Sequence, residues 1–410
     1  MDMTKMLEKY AKLAVKKGVN LQKNQVLLVN APIECVDFAR AIAKAGYEEG
    51  AKEVVVHYGD QSLQRLKLEN ASIDTLKEVP NWVAESYNSY VREGCCVISV
   101  SASDPDAYKG IPMEKISAFQ KSRQLALKDY YDYSMSNKIR WTVVSVPTEA
   151  WALKVFKDSN SKEAVDKLWN VIFDVVRLNN DDPIKAWEEH NNNIAKKLEF
   201  LNKYKFKKLH YTNSQGTDLT IELPEDHIWL GGSEKCNSGI EFNANMPTEE
   251  VFTLPKKNGV NGTVTSSKPL SYSGNLINNF SLTFKDGKVV DYKAEEGYDT
   301  LKELLESDEG SKYLGEVALV PFDSPISNSN IIFYNTLFDE NAACHLAFGK
   351  AYPTCIVNGD NLTTEELINK GANDSIIHVD FMIGTKDLDI TGITSDNKEM
   401  KIFTKGNWAF

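Results

Sequence analysis

The sequence predicts an α/β protein in two parts: an N-terminal α/β domain with a parallel sheet over residues 1–205, then a β-rich α+β domain over 206–410. Three observations carry that expectation. Short apolar runs in the first half are separated by helical patterns, which is how βαβ units read. Past Lys207, hairpin turns and clustered glycines replace the helical spacing. A chain of 410 residues also exceeds what one hydrophobic core ordinarily serves, so two domains are expected and three are the upper bound.

Residues 2–17 have the spacing of an amphipathic helix, and Gly18 is placed to end it. Gln25-Val26-Leu27-Leu28-Val29-Asn30 suits a parallel strand buried on both faces. Pro32 opens an Ala-rich helix from Glu34 to Glu49, and Glu53 to Tyr58 is the next strand. A helix is expected near 74–93, with strands at Cys95–Val100 and Trp141–Val146. No GxGxxG follows the first strand and no P-loop sequence occurs, so neither phosphate-cradling loop is present. His57 falls at the carboxyl end of a strand, where α/β sheets place ligands, but a lone histidine there reads as structural. Helical patterns over 149–157, 162–177 and 183–205 connect to the second half, their Lys-Glu spacing forming a solvated face.

In the second half, Leu209–Asn213 and Thr217–Ile221 flank Gln215-Gly216. Ser281–Phe284 and Lys288–Val290 flank Asp286-Gly287, and both patterns are hairpins. Gly231, Gly232, Gly239, Gly259, Gly262 and Gly274 read as turn formers. A helix near 298–306 precedes the apolar run Tyr313–Val320, and Leu388–Ile393 with Glu399–Thr404 form a last hairpin. There is no internal repeat and no low-complexity tract.

Composition narrows the class. Apolar residues are 42% and charged residues 26%, as in a folded, enzyme-sized protein. A net charge of −11 argues against nucleic acid as a partner, because phosphate binding needs a basic face. The charged start Met1–Tyr10 lacks the apolar centre of a signal peptide, and nowhere do 18 apolar residues run together, so no membrane partner is expected. Cys35, Cys95, Cys96, Cys236, Cys344 and Cys355 form no CxxC pair; reduced structural thiols and a cytoplasmic location are expected.

Several polar residues break the core pattern where that costs energy. Glu316 is the one charge inside Leu314–Val320, and an unpaired buried carboxylate costs several kcal/mol. His378 and Asp380 stand at i and i+2, so on a strand both face one way while Ile377, Val379 and Phe381 face the other. Glu249-Glu250 lies between Pro247 and Pro255 in a short extended segment. The stretch Leu337–Tyr352 adds Glu340, His345 and Tyr352 among Ala, Leu and Phe. Each has an ordinary reading: a buried ion pair for Glu316, a hydrogen bond for His378 and Asp380, a helix cap for Glu249-Glu250, a satisfied core histidine for His345. All of them falling in one β-rich half favours a metal site, and mixed imidazole and carboxylate donors suit Zn, Mn or Co. Cys344 would point about 100° from His345 on a helix and is not expected as a ligand.

These stretches resemble the metallo-aminopeptidases typified by aminopeptidase T, aminopeptidase S and PepS. The likeness rests on Asn245–Thr253, Leu314–Val320, Phe333–Ala342, His345 with Tyr352, and His378-Val379-Asp380, in order along essentially the whole chain. The resemblance implies an α/β N-terminal domain, a β-rich catalytic domain that binds metal, and homodimers enclosing a cavity. It implies two divalent metal ions per subunit, Zn, Co or Mn. Their ligands would be Glu250, Glu316, His345, His378 and Asp380, with Glu316 bridging and Glu340 as a further ligand. Tyr352 matches the family's active-site tyrosine and becomes the candidate oxyanion donor; Glu249 or Glu316 is the candidate general base. The expected reaction is hydrolysis of the N-terminal residue from short peptides with a free N-terminus, by a two-metal-activated water. The alternatives are another two-metal hydrolase, such as an amidase or phosphoesterase, or a non-catalytic small-ligand binding protein.

Overall fold

The apolar runs of the first half pair as their composition requires. In a computed structural model that describes residues 2–272 and 275–410, strands Val26–Pro32, Glu53–Gly59, Cys96–Val100 and Trp141–Val144 form one sheet. The first strand lies between the second and third, the fourth lies beyond the third, and every pairing is parallel. Leu27, Leu28, Val29 and Ile98 are fully buried, as strands covered on both faces require. Met1 and Gly274, both cited above, lie outside the described residues.

Local chemistry moves several element ends. Pro32 closes the first strand instead of opening a helix; a 3-10 turn, Ile33–Cys35, precedes the α-helix Val36–Glu48. The helix expected near 74–93 is two, Ile73–Leu76 and Asn81–Arg92, divided at Pro80, which has no N–H to continue the ladder. A further helix, Gln61–Asn70, starts where the Asp60 carboxylate accepts the N–H groups of Ser62 and Leu63.

The chain divides into two compact units. The first comprises Met1–His190, Ser233–Pro247 and Ile332–Leu337, so later chain returns to it twice. At the first return, the Val143 N–H donates to Ala244 O (2.8 Å) and the Met246 N–H to Val143 O (3.0 Å). At the second, Trp151 Nε1 donates to Phe333 O (2.6 Å).

The second unit comprises Asn191–Gly232, Thr248–Ile331 and Phe338–Phe410. It holds a nine-stranded antiparallel sheet, which includes the three expected hairpins, and a five-stranded antiparallel sheet. The smaller sheet runs His378–Met382, His345–Gly349, Leu314–Leu319, Val251–Thr253, Leu230–Gly231. One core joins the two sheets, with Leu314, Val317, Leu346, Phe348 and Phe381 meeting Leu209, Tyr211, Phe280 and Ile390. The Phe280 and Phe381 rings stand 5.6 Å apart. Each such Leu or Phe contributes about 1.5–3 kcal/mol by leaving water. This core fixes one face of the small sheet and leaves the other for chemistry.

Candidate metal centre

The chemistry-bearing residues share the face of the small sheet that the core does not use. Strand pairing sets Ala347 opposite both Glu316 and Asp380, and sets His345 opposite Ala318. The two alanines leave space between longer neighbours, so carboxylates and imidazoles converge above them. Phe348 and Phe381, one residue along from Ala347 and Asp380, point into the core instead. A bulge at Gly315 breaks strict alternation on the middle strand: Leu314 pairs with Phe348, but Glu316 pairs with Ala347. Leu314 therefore joins the core while Glu316, two residues on, joins the opposite face. Gly315 is required there, because a Cβ would lie 2.4 Å from the carbonyl oxygens of Gly349 and Lys350.

The distances define two groups that meet at one carboxylate. His345 Nε2 lies 3.1 Å from Glu250 Oε2 and 3.6 Å from Glu316 Oε1. His378 Nε2 lies 3.4 Å from Glu316 Oε2 and 3.4 Å from Asp380 Oδ1. Each group of three offers donor atoms within 4.8 Å of one another. The far nitrogen of each ring is committed: His345 Nδ1 donates to Ala343 O (3.1 Å) and His378 Nδ1 to Lys350 O (2.7 Å). A carbonyl can only accept, so the proton sits on Nδ1 and Nε2 faces the carboxylates. That backbone-fixed tautomer is how metal-binding histidines are ordinarily oriented.

Electrostatics point the same way. Burial pushes Glu250 up, and it lies above the ordinary carboxylate value. Burial also pushes Glu316 and Asp380 up, but their facing imidazoles outweigh it and both end below. Burial opposes charge on His345 and His378, yet the carboxylates hold both well above the ordinary imidazole value. Among the described residues no lysine or arginine pairs with Glu250, Glu316 or Asp380; their ion-pair partners are the two histidines alone. Buried like charges without a cation are expensive. A divalent cation fits this donor set, being all imidazole nitrogen and carboxylate oxygen with no thiolate.

The other expected residues surround these two groups without belonging to them. Glu340 opens a 3-10 turn; burial, then Glu250 and Asp380, push its carboxyl well above the ordinary value, so it stands within their field. Glu249 is buried, and its backbone N–H donates to Asn341 Oδ1 (2.7 Å). Tyr352 meets the His378 ring edge-on at 4.9 Å between centroids. Burial and then the Glu316 and Asp380 charges hold its phenol well above the ordinary value, so it stays protonated as a donor. Val251–Thr253 is a strand, which removes the helix-cap reading of Glu249-Glu250.

Cys344 needs a correction of geometry: His345–Gly349 is a strand, not a helix. Cys344 therefore faces the core, where its Sγ donates to Val320 O (3.3 Å). Sequence reasoning passed over Ala318, Ala347, Gly315 and Asn341, which touch or make room for the site. Only Gly315 carried a signal, as a glycine directly before the lone charge of an apolar strand.

Comparison with known proteins agrees along the whole length. The model of the thermophilic metalloprotease (M29) family matches residues 3–408. The chain is 51% identical over 406 residues to Aminopeptidase 2 of Geobacillus stearothermophilus, covering 99% of this chain and 98% of that protein. It is 53% identical over 404 residues to Aminopeptidase AmpS of Bacillus subtilis, covering 98% of each. The solved structure of wild-type AmpT from Thermus thermophilus matches over 100% of both chains, with 40% identity and a TM-score of 0.94. With a family match across nearly every residue, above a face of buried carboxylates and imidazoles, the chain belongs to the M29 family of thermophilic metalloproteases.

Proposed function

We propose that the metal-dependent aminopeptidase activity of this chain runs on two divalent ions, held by Glu250, Glu316, His345, His378 and Asp380. One observation supports the pair above all: the two oxygens of Glu316 face different imidazoles, so one carboxylate belongs to both groups. Glu340 is a further ligand, consistent with its place in the field of Glu250 and Asp380. Bound there, such ions would polarise a peptide carbonyl and supply a water that ionises near neutral pH.

The protein's own groups do the rest. The Tyr352 phenol, kept protonated, donates to the oxyanion that develops on the substrate carbonyl. With both Glu316 oxygens turned to imidazoles, Glu249 is the remaining candidate base, taking the water's proton and passing it to the leaving amine. The free α-amine of a short peptide would be held at the loaded site in its neutral form, which is why a free N-terminus is required. Zn, Co and Mn all suit the donor set. A homodimer is the assembly we propose. A cytoplasmic location is supported by six free, buried cysteines. No membrane or nucleic-acid partner is proposed; no described helix is long and apolar enough to cross a membrane.

Chelator-treated protein should lose leucyl-anilide hydrolysis and regain it on addition of Co, Mn or Zn, with about two ions per chain by elemental analysis. N-acetylated peptides should resist cleavage. Activity that survives chelation, or equal cleavage of acetylated substrates, would sink this reading.

A further inference from the structure

Strand pairing in the small sheet places Glu316, His345, His378 and Asp380, each of which has a register partner on a neighbouring strand. It does not place the remaining carboxylates. Glu249 and Glu250 precede the strand Val251–Thr253, whose pairing begins only at Val251. Glu340 also stands outside the ladder, at the first position of a 3-10 turn. Both acidic segments therefore need another means of being held.

One side chain reaches both. Asn341 sits in the same turn as Glu340 and is completely buried. Its Oδ1 accepts the Glu249 N–H at 2.7 Å, and its Nδ2 donates to Glu340 Oε1 across a longer 3.5 Å. An amide suits this place because it carries an acceptor and a donor on one short side chain. A carboxylate there could accept from Glu249 but would meet Glu340 with like charge. On the Glu250 side the backbone is also confined: a Cβ at Gly231 would lie 2.4 Å from Glu250 O. The segment thus runs between a glycine that admits it closely and an amide that fixes its N–H.

Resting on the two-ion reading, we propose that Asn341 is a positioning residue that sets the Glu249-Glu250 segment against the Glu340 turn. Its effect falls on one ion. The group Glu250, Glu316 and His345 includes a carboxylate from the segment that Asn341 holds, whereas Glu316, His378 and Asp380 are all strand residues. The same hydrogen bond fixes the main chain of Glu249, the proposed base.

The test titrates chelator-treated protein with cobalt(II), read by visible absorption and calorimetry. Wild type should take up about two ions. In Asn341→Leu one ion should bind as in wild type and the other about 10- to 100-fold more weakly, the range for losing a group that orients a metal ligand. Asn341→Ala removes the amide without adding bulk and should show the same split where the leucine variant does not fold. At saturating cobalt the remaining loss should fall on kcat and not on KM, because Glu249 stays displaced when both ions are bound. Equal weakening of both ions overturns the proposal, as does wild-type cobalt binding in a natively folded variant, or a loss confined to KM. Fewer than two ions in wild type would overturn the two-ion reading itself, a result separate from any seen in the variants.

Discussion

Two sheets in this protein are both deeply buried and are built on opposite terms. The four-stranded parallel sheet of the first unit is apolar through its strand centres, from Leu27 to Val29 and from Cys96 to Ile98. The five-stranded sheet of the second unit sets Glu316 and Asp380 in the middle of strands and His345 at the start of one, with glycine and alanine around them. The first is stabilised mainly by removing apolar surface from water, and any residue of similar size and polarity serves. The second gives up that gain on one face and relies on its companion core to stay folded. Burial therefore has two meanings here: in one sheet it excludes water, and in the other it concentrates charge.

Substitutions should separate these meanings. The largest effect is expected for Glu316→Gln, which keeps the shape but weakens both groups at once. Peptidase kcat/KM should drop about a thousandfold, equal to roughly 4 kcal/mol, with near-native circular dichroism. A loss below tenfold would mean that the two groups do not act through a shared carboxylate. Leu28→Ala in the parallel sheet should cost about 2–5 kcal/mol of stability by leaving a cavity, with activity per folded molecule unchanged. Denaturant unfolding with parallel kinetics reads both quantities; loss of specific activity in this variant would join what the comparison separates.

Gly349→Ala comes next. Its φ is +93°, and a Cβ would lie 2.2 Å from Ile377 O, so roughly 1–3 kcal/mol of strain is expected. The Lys350 carbonyl that orients His378 is the next residue, so activity should fall further than folding does. The smallest effect belongs to His57, which packs edge-on against Tyr87 at 4.5 Å and whose pKa burial lowers from 6.5. Its folded value lies below its unfolded one, so its contribution is complete above about 6.5 and fades as pH falls through the window beneath. Imidazole NMR titration checks the direction; an upward shift would refute it.

The parallel sheet was readable because its strands carry short apolar runs, and the hairpins because Gln215-Gly216 and Asp286-Gly287 announce their turns. The site was half readable. Glu316, His378 and Asp380 stood out as polar groups in apolar runs, and the spacing of the last two gave their shared face. His345 was singled out but set on the wrong element, because its strand opens after a 3-10 turn and Cys344-His345 fits a helix equally well. Strict alternation would also have put Leu314 and Glu316 on one face; the bulge at Gly315 separates them. Roles that depend on absent side chains, as at Ala318 and Ala347, leave little trace in a single sequence.

The Nδ1 atoms of the two histidines are held by main-chain oxygens, Ala343 O and Lys350 O. Every residue type carries that oxygen. No point mutation at position 343 or 350 can delete the partner that decides which nitrogen faces inward; only a displaced backbone can. Those two positions are thus shielded from the genetic code while doing essential work, and a scan that replaces side chains one by one would miss them. Moving them takes a change where backbone approaches backbone, and Gly315 and Gly349 are such places.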